Sequence, residues 1–218
     1  MQVTKPLRLL LLSVLLAGCA TGGGPASERY LLPAGAGDMP KPPAATGPIE
    51  HTLVIDDVRV ARYLDDPGIV LQTDPLRLQA AGRHQWAEPL DRQLARALRQ
   101  RLSRALPGVR VLGGAGPDTA WHLSVEVEQF QGRYDGQAIA GGLWQLRDAQ
   151  GEIRRQSPFQ ASEALEQDGY PALVKALGQG WNRVAAQIAE ELRRQWQGPE
   201  GTKDREEKET TDESAGTG

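Results

Sequence analysis

The stretch Trp121–Glu128 constrains the fold more than any other in the chain. Trp121, Leu123, Val125 and Val127 alternate with His122, Ser124, Glu126 and Glu128. Side chains on a strand point to opposite faces in turn, so this is a strand with one apolar and one polar face. Such a strand needs a second layer over its apolar side. Gly136–Arg147 reads as the next strand, with Trp144 and Leu146 on one face. A turn at Asp148-Ala149-Gln150-Gly151 leads to Glu152–Ala164, where Ile153 and Phe159 break a polar run. Three successive strands joined by short turns predict an antiparallel meander.

The covering layer is legible as two helices. Leu90, Leu94, Ala97, Leu98, Leu102, Ala105 and Leu106 recur at helical spacing from Pro89 to Leu106, and Pro107-Gly108 ends the run. Leu173, Leu177, Trp181, Val184, Ile188 and Leu192 make a second stripe over about Pro171 to Trp196. Trp196 is expected to be exposed at the end of that helix. Shorter strands are expected at Leu53–Val60, Ile69–Gln72, Leu76–Ala80 and Val109–Leu112, with a turn at Asp65-Asp66-Pro67-Gly68. The expected fold is α+β: a single domain with a largely antiparallel sheet and two long helices packed on one face.

The 218 residues are not all fold. Lys5 and Arg8 precede the apolar run Leu9–Leu16, which closes on Leu16-Ala17-Gly18-Cys19. A charged start, a short apolar core and small residues before a cut read as a secretory signal over residues 1–18. The run is too short for a permanent span, which needs about 20 residues. Cys19 is the sole cysteine, so no intrachain disulfide forms, and its place makes it the candidate site of lipidation. Residues 19–48 then hold the lipidated cysteine and a Gly/Pro-rich linker, with Gly22 to Gly24 and Pro25, Pro33, Pro40, Pro42 and Pro43. A linker of that length lets the domain stand off by tens of Å. Tyr30-Leu31-Leu32-Pro33 interrupts it, either as an edge strand on the domain's own sheet or as a partner contact. Residues 49–198 form the domain, enough for one core. Residues 199–218 hold seven acids against three bases and read as a disordered tail.

The chain offers little for catalysis. Net charge is −3, and with the acidic tail set aside the body is nearly neutral, which gives no general case for nucleic acid. Three scattered histidines and one cysteine build no metal site of usual spacing, and no cofactor is expected. The glycines at 113–116 follow a strand, but no helix or Gly-Lys-Ser/Thr follows them, so they make no phosphate cradle. Asp56 and Asp57 are adjacent on a strand and are expected on opposite faces. Asp65-Asp66 reads as turn chemistry. No histidine stands beside a candidate nucleophile. On the first helix, Arg92, Arg96 and Arg99 share a face. That face meets either an anionic partner or solvent, with Glu126 or Glu128 as possible ion-pair partners.

Several segments taken together resemble a known family. They are Leu-Ala-Gly-Cys at 16–19, Tyr30-Leu31-Leu32-Pro33, Ala61-Arg62-Tyr63-Leu64-Asp65-Asp66-Pro67-Gly68-Ile69-Val70, His84-Gln85-Trp86-Ala87-Glu88-Pro89-Leu90, and Val125–Phe130 before the closing helix. In this order they resemble the PqiC-type auxiliary lipoproteins of ABC transport systems, over about residues 16–195. The first segment is similar to a bacterial lipobox, whose cysteine is acylated (palmitate among its chains). Ala20 after it implies the outer membrane.

The resemblance implies a periplasm-facing lipoprotein that is not an enzyme and is held to the outer membrane by its lipid anchor. It implies an MCE-domain protein as partner, in a system that moves lipid between membranes and supports envelope integrity. It also implies a homo-oligomeric ring. Carried onto this chain, Tyr63, Leu64, Asp65, Pro67, Ile69 and Val70, with His84, Trp86, Glu88 and Pro89, become candidate partner contacts. The acidic tail is a departure from the family pattern. Two other readings compete: a periplasmic lipid-binding carrier with an apolar cavity between helices and sheet, and an envelope hydrolase.

Overall fold

A computed structural model describes residues 26–33 and 48–197. The signal segment, Cys19, most of the linker and the acidic tail lie outside the described residues. The elements are β1 (Glu28–Tyr30), β2 (His51–Val60), β3 (Gly68–Asp74), β4 (Arg77–Trp86), α1 (Leu90–Ala105), β5 (Val109–Gly113), β6 (Trp121–Arg133), β7 (Gln137–Arg147), β8 (Ile153–Ala164) and α2 (Tyr170–Gln197). A 3-10 turn, Arg62–Leu64, joins β2 to β3.

The strand β6 organises the sheet. On one side it pairs antiparallel with β7, which pairs antiparallel with β8, so the expected meander is present. Its other side is shared. The strand β2 runs parallel to its first half, from Leu53 opposite Trp121 to Val60 opposite Val127. The strand β3 runs parallel to its far end, where Leu71 faces Gly132. Outside these lie β5, parallel to β2, and β4, antiparallel to β3; β1 runs parallel to β4 at the outer edge. The fold is α+β with both helices on one face. The long ladders are antiparallel, while the short ones that recruit β1, β2 and β5 are parallel, which makes the sheet mixed.

Alternation along β6 sends Trp121, Leu123, Val125 and Val127 toward the helices, and all four are buried. They meet Leu94, Leu98 and Leu102 of α1 and Leu177, Val184 and Ile188 of α2 in one core. Full burial of each such side chain favours folding by about 1.5–3 kcal/mol. Trp181 sits at the centre, fully buried, edge-on to Phe130 and Phe159 at centroid distances of 6.2 and 6.0 Å. Its Nε1 donates to Leu94 O at 3.1 Å, which ties α2 to α1.

Several expectations change. A β-bulge between Ile55 and Asp57 breaks the alternation of β2. Ile55 and Val58 both face the core, and Asp56 and Asp57 both turn to the outer face, contrary to the strand-period rule. Trp196 is half-buried, not exposed: it stacks on His51 at 4.7 Å and meets Trp121 edge-on at 6.0 Å. Glu126 and Glu128 lie on the sheet face away from the helices, so they do not neutralise the arginines of α1; Arg96 pairs instead with Glu88 at 2.7 Å. The glycine run ending at Gly116 covers Val54, whose Cγ2 would lie 2.3 Å from a Cβ at Gly116.

Candidate functional site

A buried polar arrangement lies at the seam where the 26–33 segment docks. Glu28, Arg29 and Tyr30 pair in parallel with His84, Gln85 and Trp86, and Ala87 N donates to Tyr30 O at 2.8 Å. The interruption in the linker therefore docks on the domain itself: Tyr30 ends an edge strand of its sheet, and Leu31 to Pro33 continue beyond that strand. The Tyr30 hydroxyl donates to Glu28 Oε2 at 2.5 Å and lies 3.1 Å from His84 Nδ1. Burial, and then the carboxylate of Glu28, push the Tyr30 phenol up to about 12. The His84 ring stacks on Tyr170 at 3.9 Å, so β4 also contacts the start of α2.

Beyond β1 the segment crosses both helices. Leu32 is buried, and its N–H donates to Gln93 Oε1 at 2.7 Å. Gln93 is itself buried and returns a bond from Nε2 to Glu88 O at 2.9 Å. Pro89, the residue before α1, makes no side-chain cap, and this amide links the helix start to the docked segment. Pro33 then lies on Gly178, where an added Cβ would sit 3.0 Å from Pro33 Cδ. Only a residue without a side chain allows that approach.

Arg101 closes the seam from below. It is 4% exposed, and Nη2 donates to Pro33 O at 3.0 Å while Nε donates to Asn182 Oδ1. Its Nη1 has no partner among the described residues. Burial, and then the nearby charge of Arg104, lower its pKa to about 10. Spacing placed Gln93 and Arg101 on α1 but gave no reason to single them out. The one signal in the sequence is that both polar residues fall in phase with the apolar stripe.

The structure places the sequence-derived candidates in two groups. Leu64, Ile69, Val70, Trp86 and Leu90 are core residues. The Tyr63 hydroxyl is tied to Glu128 O at 2.7 Å and Gln131 Oε1 at 2.5 Å, and burial, with Glu128, pushes it up to about 12. Asp65, Pro67, Glu88 and Pro89 are exposed, as are Arg92, Arg96 and Arg99 on the outer side of α1. His84 and Trp86 form the seat of β1. The two motifs thus meet: Trp86 N donates to Pro67 O at 2.7 Å, which joins the Tyr63–Val70 stretch to the His84–Leu90 stretch.

Asp56, His122 and Ser124 meet on the outer sheet face, with His122 Nδ1 2.7 Å from Asp56 Oδ1. Ser124 Oγ donates to Asp56 Oδ2 at 3.5 Å rather than to the imidazole, so these three do not line up as a serine–histidine–aspartate relay. Among the described residues no three His, Cys, Asp or Glu side chains could hold a metal ion, and no helix is long and apolar enough to cross a membrane. A groove of about 510 Å³ runs between β8 and α2, but it is open and rimmed by Arg183, Glu190, Glu191 and Arg194. The space between sheet and helices is occupied by Trp181 and its neighbours.

Residues 30–189 match the model of the ABC-type transport auxiliary lipoprotein component family. The match starts on Tyr30 of the docked strand and spans both motifs. The chain belongs to this family. Two curated relatives bear the same name, Intermembrane transport lipoprotein PqiC, from Escherichia coli (strain K12) and Shigella flexneri. Each is 40% identical over 145 residues, which is 65% of this chain and 75% of the relative. A crystal structure of an uncharacterized protein matches at 34% identity and a TM-score of 0.67, covering 77% of this chain and 99% of that one. A Xanthomonas campestris protein shares the fold at 18% identity and a TM-score of 0.60, covering 83% and 97%.

Proposed function

We propose that this protein is an outer-membrane-anchored periplasmic lipoprotein that serves, without catalysis of its own, in an MCE-type ABC system moving lipid between membranes. Acylated Cys19 holds the chain to the membrane, and the domain grips an MCE-domain partner as a homo-oligomeric ring. The observation that carries this reading is the family match over residues 30–189, together with relatives whose name is intermembrane transport lipoprotein. The exposed members of the two motifs, Asp65, Pro67, Glu88 and Pro89, are the proposed partner contacts, and the exposed Arg92 and Arg99 are available to an anionic surface. The buried members act indirectly, by holding the 26–33 segment in place.

The test is association. The full chain, expressed with its MCE protein, is expected to co-purify with it, and Cys19→Ala is expected to leave the folded domain in the soluble fraction. A chain that stays monomeric and captures no MCE protein overturns the scaffold reading. Retained acylation of the Cys19→Ala variant overturns the anchor assignment.

A further inference from the structure

Docking of β1 shortens the tether. If Cys19 carries the lipid, only nine peptide links separate the anchor from Glu28, the first residue of the sheet. Fully extended, that chain reaches about 30 Å. The bilayer must therefore lie close to one side of the domain, and the strand direction says which. The strand β1 is parallel to β4, with Glu28 beside His84, so the chain before Glu28 leaves toward the Arg77 end of β4.

That end carries an apolar tip. Leu76, in the β3–β4 turn, is 93% exposed, and Leu78 beside it is 46% exposed. The parallel register of β3 on β6, Leu71 beside Gly132, brings the β6–β7 turn to the same end, where Tyr134 is 57% exposed. The charges among these residues are paired: Arg77 with Asp74 at 2.8 Å, and Arg133 with Asp135. The tip from His84 to Leu76 is at most about 26 Å long, within the reach of the tether. Exposed Ile49 and Ile153 lie at the opposite end of the sheet, away from where the tether leaves.

We propose that the β3–β4 turn, with Leu76 and Leu78, rests in the surface of the bilayer that holds the Cys19 lipid, and that Tyr134 lies at the same interface. Leucine supplies the apolar contact, and tyrosine suits the boundary between hydrocarbon and water. Because the tip's charges neutralise each other, the contact depends on apolar burial and resists high salt. A domain held at two points, lipid and tip, keeps one orientation on the membrane. This inference rests on the anchor assignment made above.

The test uses the full acylated chain in vesicles of phosphatidylethanolamine and phosphatidylglycerol. Acylated Cys19 offers no free thiol, so Leu76→Cys, Tyr134→Cys and Ile153→Cys each take a single environment-sensitive fluorophore. Flotation with the vesicles reports the anchor, and quenching by doxyl-labelled lipid reports the tip. The expected result is a blue-shifted, quenched label at 76 and 134, in low and high salt, and an unquenched label at 153. Leu76→Asp with Leu78→Asp should abolish quenching at 134 while flotation persists. A chain that floats with an aqueous label at 76 overturns the tip contact and leaves the anchor standing. A label at 76 that is equally blue-shifted in the non-acylated Cys19→Ala chain, free of lipid and detergent, and is not quenched by doxyl-labelled lipid assigns the tip to a second copy and also overturns it. A chain that fails to float removes the anchor, and the proposal with it.

Discussion

Arg101 Nη2 donates to the carbonyl of Pro33 at 3.0 Å, across 68 residues of sequence. A cation buried at the crossing of two helices thus holds the segment that leads from the N-terminus into the sheet. Arg101→Ala removes the donor for Pro33 O and Asn182 Oδ1 and leaves a hole. We expect a loss of about 2–4 kcal/mol in urea unfolding. Arg101→Met fills the volume without burying a charge and should lose less. Burial lowers the pKa of Arg101 to about 10, still well above neutral, so the guanidinium stays charged and its desolvation is the cost that the Met variant avoids.

Gly178 is the position where the 26–33 segment can be loosened with the domain left intact. An added Cβ would lie 3.0 Å from Pro33 Cδ and 3.2 Å from its Cγ, so Pro33 must shift. Alanine also raises helix propensity by about 1 kcal/mol, which offsets part of the cost. We expect Gly178→Ala to speed amide exchange at Tyr30 and Leu32 while the urea midpoint moves little. Unchanged protection at those amides would mean that Pro33 contributes nothing to docking.

Trp181 joins both helices to Phe130 and Phe159 of the sheet. Trp181→Ala removes its whole side chain from a fully buried site and frees Leu94 O of its bond. The expected destabilisation is about 3–5 kcal/mol by denaturant unfolding. Trp181→Phe keeps much of the ring packing and should cost clearly less.

Asp148 gives the acid limb of the pH profile. It is buried at the β7–β8 turn, where burial disfavours its charge, but Arg154 at 2.6 Å and the amides of Glu152 and Gln150 outweigh that and lower its pKa. A folded pKa below the unfolded one adds stability that is present above the unfolded value and lost as pH falls through the folded one. The urea-unfolding midpoint of Asp148→Asn should therefore depend less on pH below about 4 than that of the wild type. Parallel acid profiles for the two proteins would refute this assignment.

The elements themselves were largely visible in the chain. The alternation at 121–128 and the stripes at 90–106 and 173–192 are local periodicities, and local periodicity survives folding wherever one face meets one core. What failed was local exceptions and long-range pairing. The bulge at Asp56 changes which way a side chain points without changing any residue type. The parallel partners of β6 come from β2 and β3, far back in the chain, and nothing in either strand names its neighbour. The strands at 69–72 and 76–80 were expected to be short, yet β4 runs on to Trp86 because β1 and Pro67 supply hydrogen-bond partners there. The motif residues were noticed as contact candidates, but Leu64, Ile69, Val70 and Trp86 proved to be core, since apolar residues in a motif serve packing as readily as recognition.

The sequence alone determined the period of most elements, the two-layer architecture and the resemblance to the family. These depend on which residues are apolar and at what spacing, and both are written locally. Only the tertiary structure decided that the apolar island at 30–33 docks on the domain itself, Tyr30 in the sheet and Leu32 and Pro33 against the helices. Its few residues hold no fold of their own: its place depends on Gln93, Arg101 and Gly178, which become its neighbours only once the helices have crossed.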